Sequence, residues 1–516
     1  MHPEYRLWLT SMPSKDFPVP VLQSGIKITN EPPRGLKANL RRTFDDIKEE
    51  EYESCLKPKE YKKLLFALGY FHAAILERRK YGPIGWNIPY SWMTSDFETS
   101  KSQLMMYLNE QEVVPYQALN YVVAEANYGG RVTDDKDGRL IKAMLKSYFR
   151  PEVMNDNFKL SKLDTYYCPP EGTLAETKAY IETLPLDEDP EVFGMHPNAN
   201  IAYEKFTVGM LNDTVLMIQP RVASKGEGKT PDEIVQDMCR EILSRLPPPM
   251  DKGKAHPTTF AVSDKGQPLS LGVFVGQEID RFAKLYVTMK KSLDLLDRAI
   301  AGTVVMSQDL EEMSIRFLNN KVPAGWEKVG YPSLKPLSSW VDDLIQRLEF
   351  LAKWLYEGQP DSFWLSAFFF PQGFMTASLQ TYARKTQTPI DALKFKTHVR
   401  NYGPEAIEEV PEDGVNMHGL FMEGARWDNQ KLCLEDNLPR SPIVPFPLIW
   451  LEPVSVEENI DQGCYPCPLY KTSTRRGELS TTGHSTNFVL FLYVPTEVQP
   501  EYWIRRGTAL LSMTDD

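Results

Sequence analysis

Long hydrophobic runs are missing from these 516 residues: none approaches the length of a membrane span. Met1 to Asp16 lacks the basic region followed by an apolar stretch that marks a secretory leader. Cysteine is scarce, with Cys55, Cys168, Cys239, Cys433, Cys464 and Cys467 scattered along the chain. That is no disulfide framework, and a reducing cytosol is the simpler setting. Positive charge is in deficit: 58 Lys and Arg face 70 Asp and Glu, for a net charge of −12. Nucleic acid and other acidic surfaces repel such a chain on average, although a local basic patch stays compatible with it. The seven histidines show no metal-ligand spacing.

What is present is a soluble-protein composition, 42% hydrophobic and 25% charged, on a chain long enough for two to four domains. Tyr5 to Thr10 and Val19 to Ile28 are short apolar runs rich in strand formers. Two isolated strands cannot bury both faces, so a poorly covered sheet edge is expected within residues 1–45. From Leu36 to about Asn200 the pattern is helical. Leu64, Leu68, Phe71 and Ile75 form one helical stripe. Arg78, Arg79 and Lys80 fall in its last turn, where cations meet the negative end of the helix dipole, and Gly82-Pro83 stops it. Helices are expected at Lys101 to Glu110, Tyr116 to Asn127 and Lys136 to Phe149. Cys168 to Pro197, rich in Pro and acid, reads as a surface connector.

Beyond it, Thr214 to Gln219 reads as a strand and Asp232 to Leu246 as a helix. Glu278 to Ala301 is a long amphipathic helix with Ile279, Phe282, Leu285, Tyr286, Met289, Leu293 and Leu296 on its buried stripe. Leu310, Met313 and Phe317 mark a second helix. Val341 to Leu355 marks a third, with Ser339 as its cap and Gly358 at its end. The period then changes. Lys394 to Arg400 alternates, and short runs follow at Gly419 to Glu423, Lys431 to Leu434, Leu448 to Glu452, Thr486 to Val494 and Gly507 to Ser512. Helices first and antiparallel strands afterwards argue an α+β fold.

Several motifs invite a chemical reading. Gly226 to Thr230 (GEGKT) sits between an apolar run and a helix, as a phosphate-binding loop would. Such a loop wants a glycine five residues before the Gly-Lys pair, and Ala223 stands there. A coil is the expected state, with a free-standing P-loop ATPase as the sharper alternative. Cys464 and Cys467 form C-x-x-C without the second ligand pair a zinc site needs, and Pro466 and Pro468 interrupt the segment. His484-Ser485, near Asp461 and Glu478, lacks the strained turn of a nucleophile and reads as a turn before a strand. His72 on its helix reads as a packed side chain. The basic-aromatic run Lys394 to Arg400, with Arg475 and Arg476, reads equally as a solvated strand face. Phe363 to Phe370 reads as a buried core or a docking face. No residue is nominated as catalytic, cofactor-binding or metal-ligating.

Two stretches carry a resemblance. Phe71 to Tyr90 (FHAAILERRKYGPIGWNIPY) and Cys467 to Val489 (CPLYKTSTRRGELSTTGHSTNFV) resemble the C-terminal end of dynein heavy chains, the second in its axonemal form. Arg6 to Pro13 (RLWLTSMP), Asn30 to Leu40 (NEPPRGLKANL), Asn127 to Asp135 (NYGGRVTDD), Phe193 to Asn200 (FGMHPNAN), Phe363 to Phe370 (FWLSAFFF) and Tyr502 to Leu511 (YWIRRGTALL) resemble the same family in the same order. The resemblance implies three parts. Residues 1–45 would close the large subdomain of the sixth AAA+ module, with Met1 a truncated gene model or a fragment boundary. Residues 46–200 would be that module's helical lid. Residues 201–516 would be the C-terminal domain, helices to about 388 and a small antiparallel β-barrel from about 389. It further implies an ATP-driven, minus-end-directed microtubule motor of cilia and flagella, in which this part braces the ring. ATP and magnesium would act in other modules, and microtubules would bind through a stalk found elsewhere. Partners would be the other AAA+ modules and the intermediate and light chains, with no nucleic acid and no membrane, in the cytoskeleton of the axoneme. A non-motor binding module or truncated isoform that docks light chains is the alternative.

Overall fold

A computed structural model describes residues 2, 4–11, 14, 17–29, 31–218, 229–263, 265–408, 410–477 and 486–515. The first element is a six-residue helix, α1 (Val19–Ser24), and none of its residues is buried. Tyr5 to Thr10 is irregular. Both expected strands are therefore absent from the described residues, and with them the sheet edge. A strand draws its hydrogen bonds from a neighbour, and no strand lies alongside either run among the described residues; a helical turn bonds within itself.

The helical half is built from α2 (Leu36–Asp45), α3 (Glu49–Glu53), α4 (Pro58–Arg78), α5 (Thr94–Glu110), α6 (Tyr116–Tyr121), α7 (Asp135–Tyr148) and α8 (Leu174–Thr183). α4 is the central rod. Leu64, Leu68, Phe71 and Ile75 are each 0% exposed, as their spacing required. The helix expected at Tyr116 to Asn127 is α-helical to Tyr121 and a wider π-turn over Val122–Asn127. The expected connector contains α8, which docks on the same apolar cluster through Leu174 and Ile181. Its start is a capping box, with Thr173 and Glu176 each accepting the other's backbone N–H.

α9 (Ala199–Ile218) follows and contains all the described part of the run expected to be a strand. The second cluster gathers α10 (Pro231–Arg245), α11 (Ser270–Ile300), α12 (Gln308–Leu318), α13 (Ala324–Glu327), α14 (Leu337–Glu357) and α15 (Pro371–Thr386). α11 begins eight residues before its expected start, so Glu278 is an interior, fully buried residue rather than a first-turn acid. α14 begins before Ser339. Asn320 accepts the Ser338 N–H at 3.1 Å through Oδ1 and the Leu337 N–H at 2.9 Å through its carbonyl, which removes the need for a serine cap. Gly358 ends the helix at φ 104°, where glycine is favoured.

The strands are β1 (Phe363–Trp364), β2 (Leu393–Val399), β3 (Val415–His418), β4 (Phe421–Glu423), β5 (Arg426–Asp428), β6 (Cys433–Glu435), β7 (Ile443–Pro445), β8 (Ile449–Ser455), β9 (Cys464–Tyr470), β10 (Phe488–Pro495) and β11 (Ala509–Leu511). They form one sheet in the order β1-β3-β8-β2, another in the order β10-β9-β11-β4-β7, and the hairpin β5-β6. No ladder closes them into a ring among the described residues. The two sheets meet where the Tyr493 N–H of β10 donates to Thr397 Oγ1 of β2 at 3.2 Å. β9 runs through Pro466 and Pro468 without interruption. On β9, β11 pairs only at Leu469 and Tyr470, so on that side the upstream part of β9 asks no N–H of either proline. A last helix, α16 (Pro500–Arg506), crosses back to the helical half. Ile504 on it packs against both apolar clusters.

Candidate functional site

Among the described residues the two largest apolar clusters meet at a seam rich in buried arginine. Arg78 ends α4 and is 0% exposed. It lies three residues after Ile75, on the same stripe as Phe71 and Ile75, so the helix that buries those residues carries a guanidinium inward with them. Its Nε donates to the Gly85 carbonyl at 2.9 Å, its Nη1 to Phe193 at 2.6 Å and its Nη2 to Arg505 at 2.6 Å. Three segments far apart in sequence are thus held by one planar fork of donors. Its role is not that of a surface cation on a helix dipole, as its sequence position suggested. Burial among carbonyls pulls its pKa down to about 9.

The turn after α4 supplies the second contact. Asn87 donates through Nδ2 to the Tyr470 hydroxyl at 2.8 Å, across to β9. Its N–H and that of Ile88 donate to the two oxygens of Asp137 at 3.0 and 3.1 Å. Burial pushes the Asp137 carboxyl up to about 7. Asp134 caps α7 and fixes this edge by accepting from the N–H groups of Lys136 and Asp137. One turn on, Arg139 donates to the Pro466 carbonyl at 2.8 Å and the Tyr465 hydroxyl at 3.0 Å. The Lys136 ammonium lies 3.7 Å from the centroid of the Phe488 ring.

α16 answers from the other side. Arg506 is 1% exposed and lies 2.8 Å from Glu191 and 3.2 Å from Asp436. Gly507 then turns at φ 69°, and a Cβ there would stand 2.5 Å from the Ile84 carbonyl oxygen. Only glycine permits this approach. Arg475 donates to Glu423 at 2.5 Å and to the Gly507 carbonyl at 2.7 Å. Asn198 completes the seam, donating to the Leu438 carbonyl and accepting from the Arg440 N–H, both at 2.8 Å. Between these elements lies a cavity of about 30 Å³, lined in part by Asn87, Asp137, Arg139, Tyr470 and Arg475. That is room for about one water.

The sequence motifs lie elsewhere or are otherwise engaged. Gly226 to Gly228 lie outside the described residues. Lys229 pairs with Asp237, and Thr230 caps α10 in a box with Glu233. A phosphate loop needs that lysine and hydroxyl free, so the described part of the motif does not fit a nucleotide. Cys464 and Cys467 are free thiols on β9, three residues apart and so on opposite faces. Burial pushes Cys467 up to about 12. Glu478, His484 and Ser485 lie outside the described residues, and Asp461 is exposed. His72 is buried, with Nδ1 3.0 Å from the Tyr128 hydroxyl, and burial lowers it to about 4. Along β2, Lys396 pairs with Glu458 and His398 with Glu452, while Arg400, just past its end, lies over Trp450. No helix among the described residues is long and apolar enough to cross a membrane.

Five of the eight segments that carried the resemblance therefore converge. Arg78, Gly85 and Asn87 come from the first, Tyr470 and Arg475 from the second, and Asp134, Phe193, Asn198, Arg505, Arg506 and Gly507 from three more. Comparison with known proteins agrees along the whole sequence. Residues 206–512 match the model of the C-terminal domain of dynein heavy chains. Residues 61–199 match the AAA lid domain of dynein heavy chains, and residues 1–29 their region D6 P-loop domain. The chain is 44% identical to human dynein axonemal heavy chain 6 over 98% of its length and 13% of the relative's. It is 45% identical to mouse dynein axonemal heavy chain 3, over 99% of its length and 12% of the relative's. With rat dynein axonemal heavy chain 1 the identity is 43%, over 100% of this sequence and 11% of the relative. The chain spans only about an eighth of the relatives it matches.

Proposed function

Because the chain belongs to the dynein heavy chain family, we propose that it is the brace of an axonemal dynein motor: a lid and a C-terminal domain locked into one body that stiffens the AAA+ ring. Residues 1–45 would end the sixth module's large subdomain, 46–200 its lid, and 201–516 the C-terminal domain with its open, barrel-like pair of sheets. The observation that carries this reading is Arg78, whose three carbonyl partners come from the lid and from α16. A guanidinium held that way resists hinge motion, because opening strands a buried charge and three buried acceptors together. A displacement imposed on the lid then moves the C-terminal domain with it instead of being dissipated at a joint.

Nucleotide chemistry is assigned to other modules of the parent heavy chain, and no step is routed through this segment. ATP with magnesium would act there, microtubules would bind through the stalk, and the intermediate and light chains would join through the wider complex. The setting would be the axoneme of a cilium or flagellum, as the relatives' names state for those proteins. The test is the Arg78→Ala variant of the full-length parent motor. ATP turnover is expected to persist while microtubule gliding slows. Unchanged gliding in a variant whose loosened junction is verified would overturn the reading.

A further inference from the structure

The aromatic run that the fold buries leaves its last ring outside. Phe363, Leu365 and Phe368 are core residues, whereas Phe370, at the start of α15, is 45% exposed. Two cations from separate elements stand over this ring. The Arg281 guanidinium, from α11, is 5.6 Å from its centroid, and the Lys471 ammonium, just past β9, is 5.7 Å away. Arg281 is already committed in part. It donates to Glu278, which is fully buried and also accepts the Phe369 N–H at 2.6 Å.

Lys471 is not so served. It is 8% exposed, and its backbone N–H is pinned by the Asn487 carbonyl and side chain, both at 2.9 Å. Its ammonium has no hydrogen-bond acceptor among the described residues. Burial lowers it to about 8. A lysine stripped of most of its water and offered no acceptor is held at a cost that an incoming anion offsets. One carboxylate, Glu278, faces two cations here, which leaves a single uncompensated positive charge beside an exposed aromatic ring. An exposed ring flanked by arginine is the composition of a binding hot spot.

We propose that Phe370, Arg281 and Lys471 form a docking point for one acidic side chain, an Asp or Glu carboxylate presented by another module of the parent heavy chain. The carboxylate accepts from Lys471 and the free donors of Arg281, while its methylenes cover the Phe370 ring. A monoanion matches the leftover charge, whereas a doubly charged phosphate would be repelled by Glu278. The acidic chemistry stands on these residues; the choice of occupant rests on the bracing role proposed above.

The test is carbodiimide coupling in the native parent particle, which joins an amine to a carboxylate in direct contact, followed by peptide mass spectrometry. An amide between Lys471 and an Asp or Glu outside residues 1–516 is expected. Lys471 should be acetylated in the isolated 516-residue protein and protected from acetylation in the particle. If other residues within 1–516 couple to the rest of the particle but Lys471 couples only to Glu278, or is acetylated equally in both, the docking point is overturned and the brace stands. Absence of every such cross-link overturns both. Protection of Lys471 in the isolated protein by inorganic phosphate would assign a small-anion site and overturn the acidic side chain.

Discussion

The seam between the lid and the C-terminal domain and the first 29 residues are opposites, although both carry segments that resemble the same family. At the seam Arg78 and Arg506 are 0% and 1% exposed, and Arg78, Asn87, Arg139, Asn198 and Arg506 each make a contact that crosses from one half to the other. In the first segment Leu7, Trp8 and Ile26 are 68%, 79% and 95% exposed, and α1 buries nothing. A family-typical stretch acquires structure only where its partners stand beside it. Two of the three carbonyls that order Arg78, those of Phe193 and Arg505, are over a hundred residues away, while Trp8 has no such partner among the described residues.

Deleting the central fork should break this contrast most severely. Arg78→Ala leaves the Gly85, Phe193 and Arg505 carbonyls without a donor, and a loss on the order of 4 kcal/mol is expected in the urea midpoint. Acid should come next. His72 is neutral in the fold with its pKa lowered from 6.5 to about 4 by burial. Its contribution is whole above pH 6.5 and is lost as pH falls toward 4, because the unfolded state takes up the proton first. A shift of that size corresponds to about 3 kcal/mol, visible as a pH slope that His72→Gln removes. Gly507→Ala meets the Ile84 carbonyl at φ 69° and should cost about 2 kcal/mol by thermal melting. At the other end of the scale, Trp8→Ser should change stability by less than about 0.5 kcal/mol, since this side chain is left in water. A Trp8→Ser loss as large as that of Gly507→Ala would erase the distinction between the two regions.

Periodicity made the rods legible. The α4 stripe, the Glu278 to Leu296 face of α11 and the alternation of β2 all reappear in the fold, since each depends on spacing within one element. α8 had a readable signature too, the Thr173-x-x-Glu176 box, hidden by surrounding prolines and acids. β3, β5 and β7 are three or four residues long and carry too few alternations to register. Strand-like composition misled at Thr214 to Gln219, whose described part lies in α9, and at Val19 to Ile28, where Val19 and Val21 sit in a helix and Ile26 and Ile28 are irregular. The seam was least legible. Nothing local marks Asn87, Arg139 or Gly507 as junction residues. The one local hint was Arg78 itself, a cation placed on an otherwise apolar stripe.

Whether the two halves move as one body is best asked by hydrogen exchange of the 516-residue protein, read by mass spectrometry with and without Arg78→Ala. Peptides over 84–90, 193–200 and 505–511 should lose protection together in the variant, though they are distant in sequence. If protection is lost only at the end of α4 while 505–511 exchanges as before, the seam is no lock and the brace is not built this way.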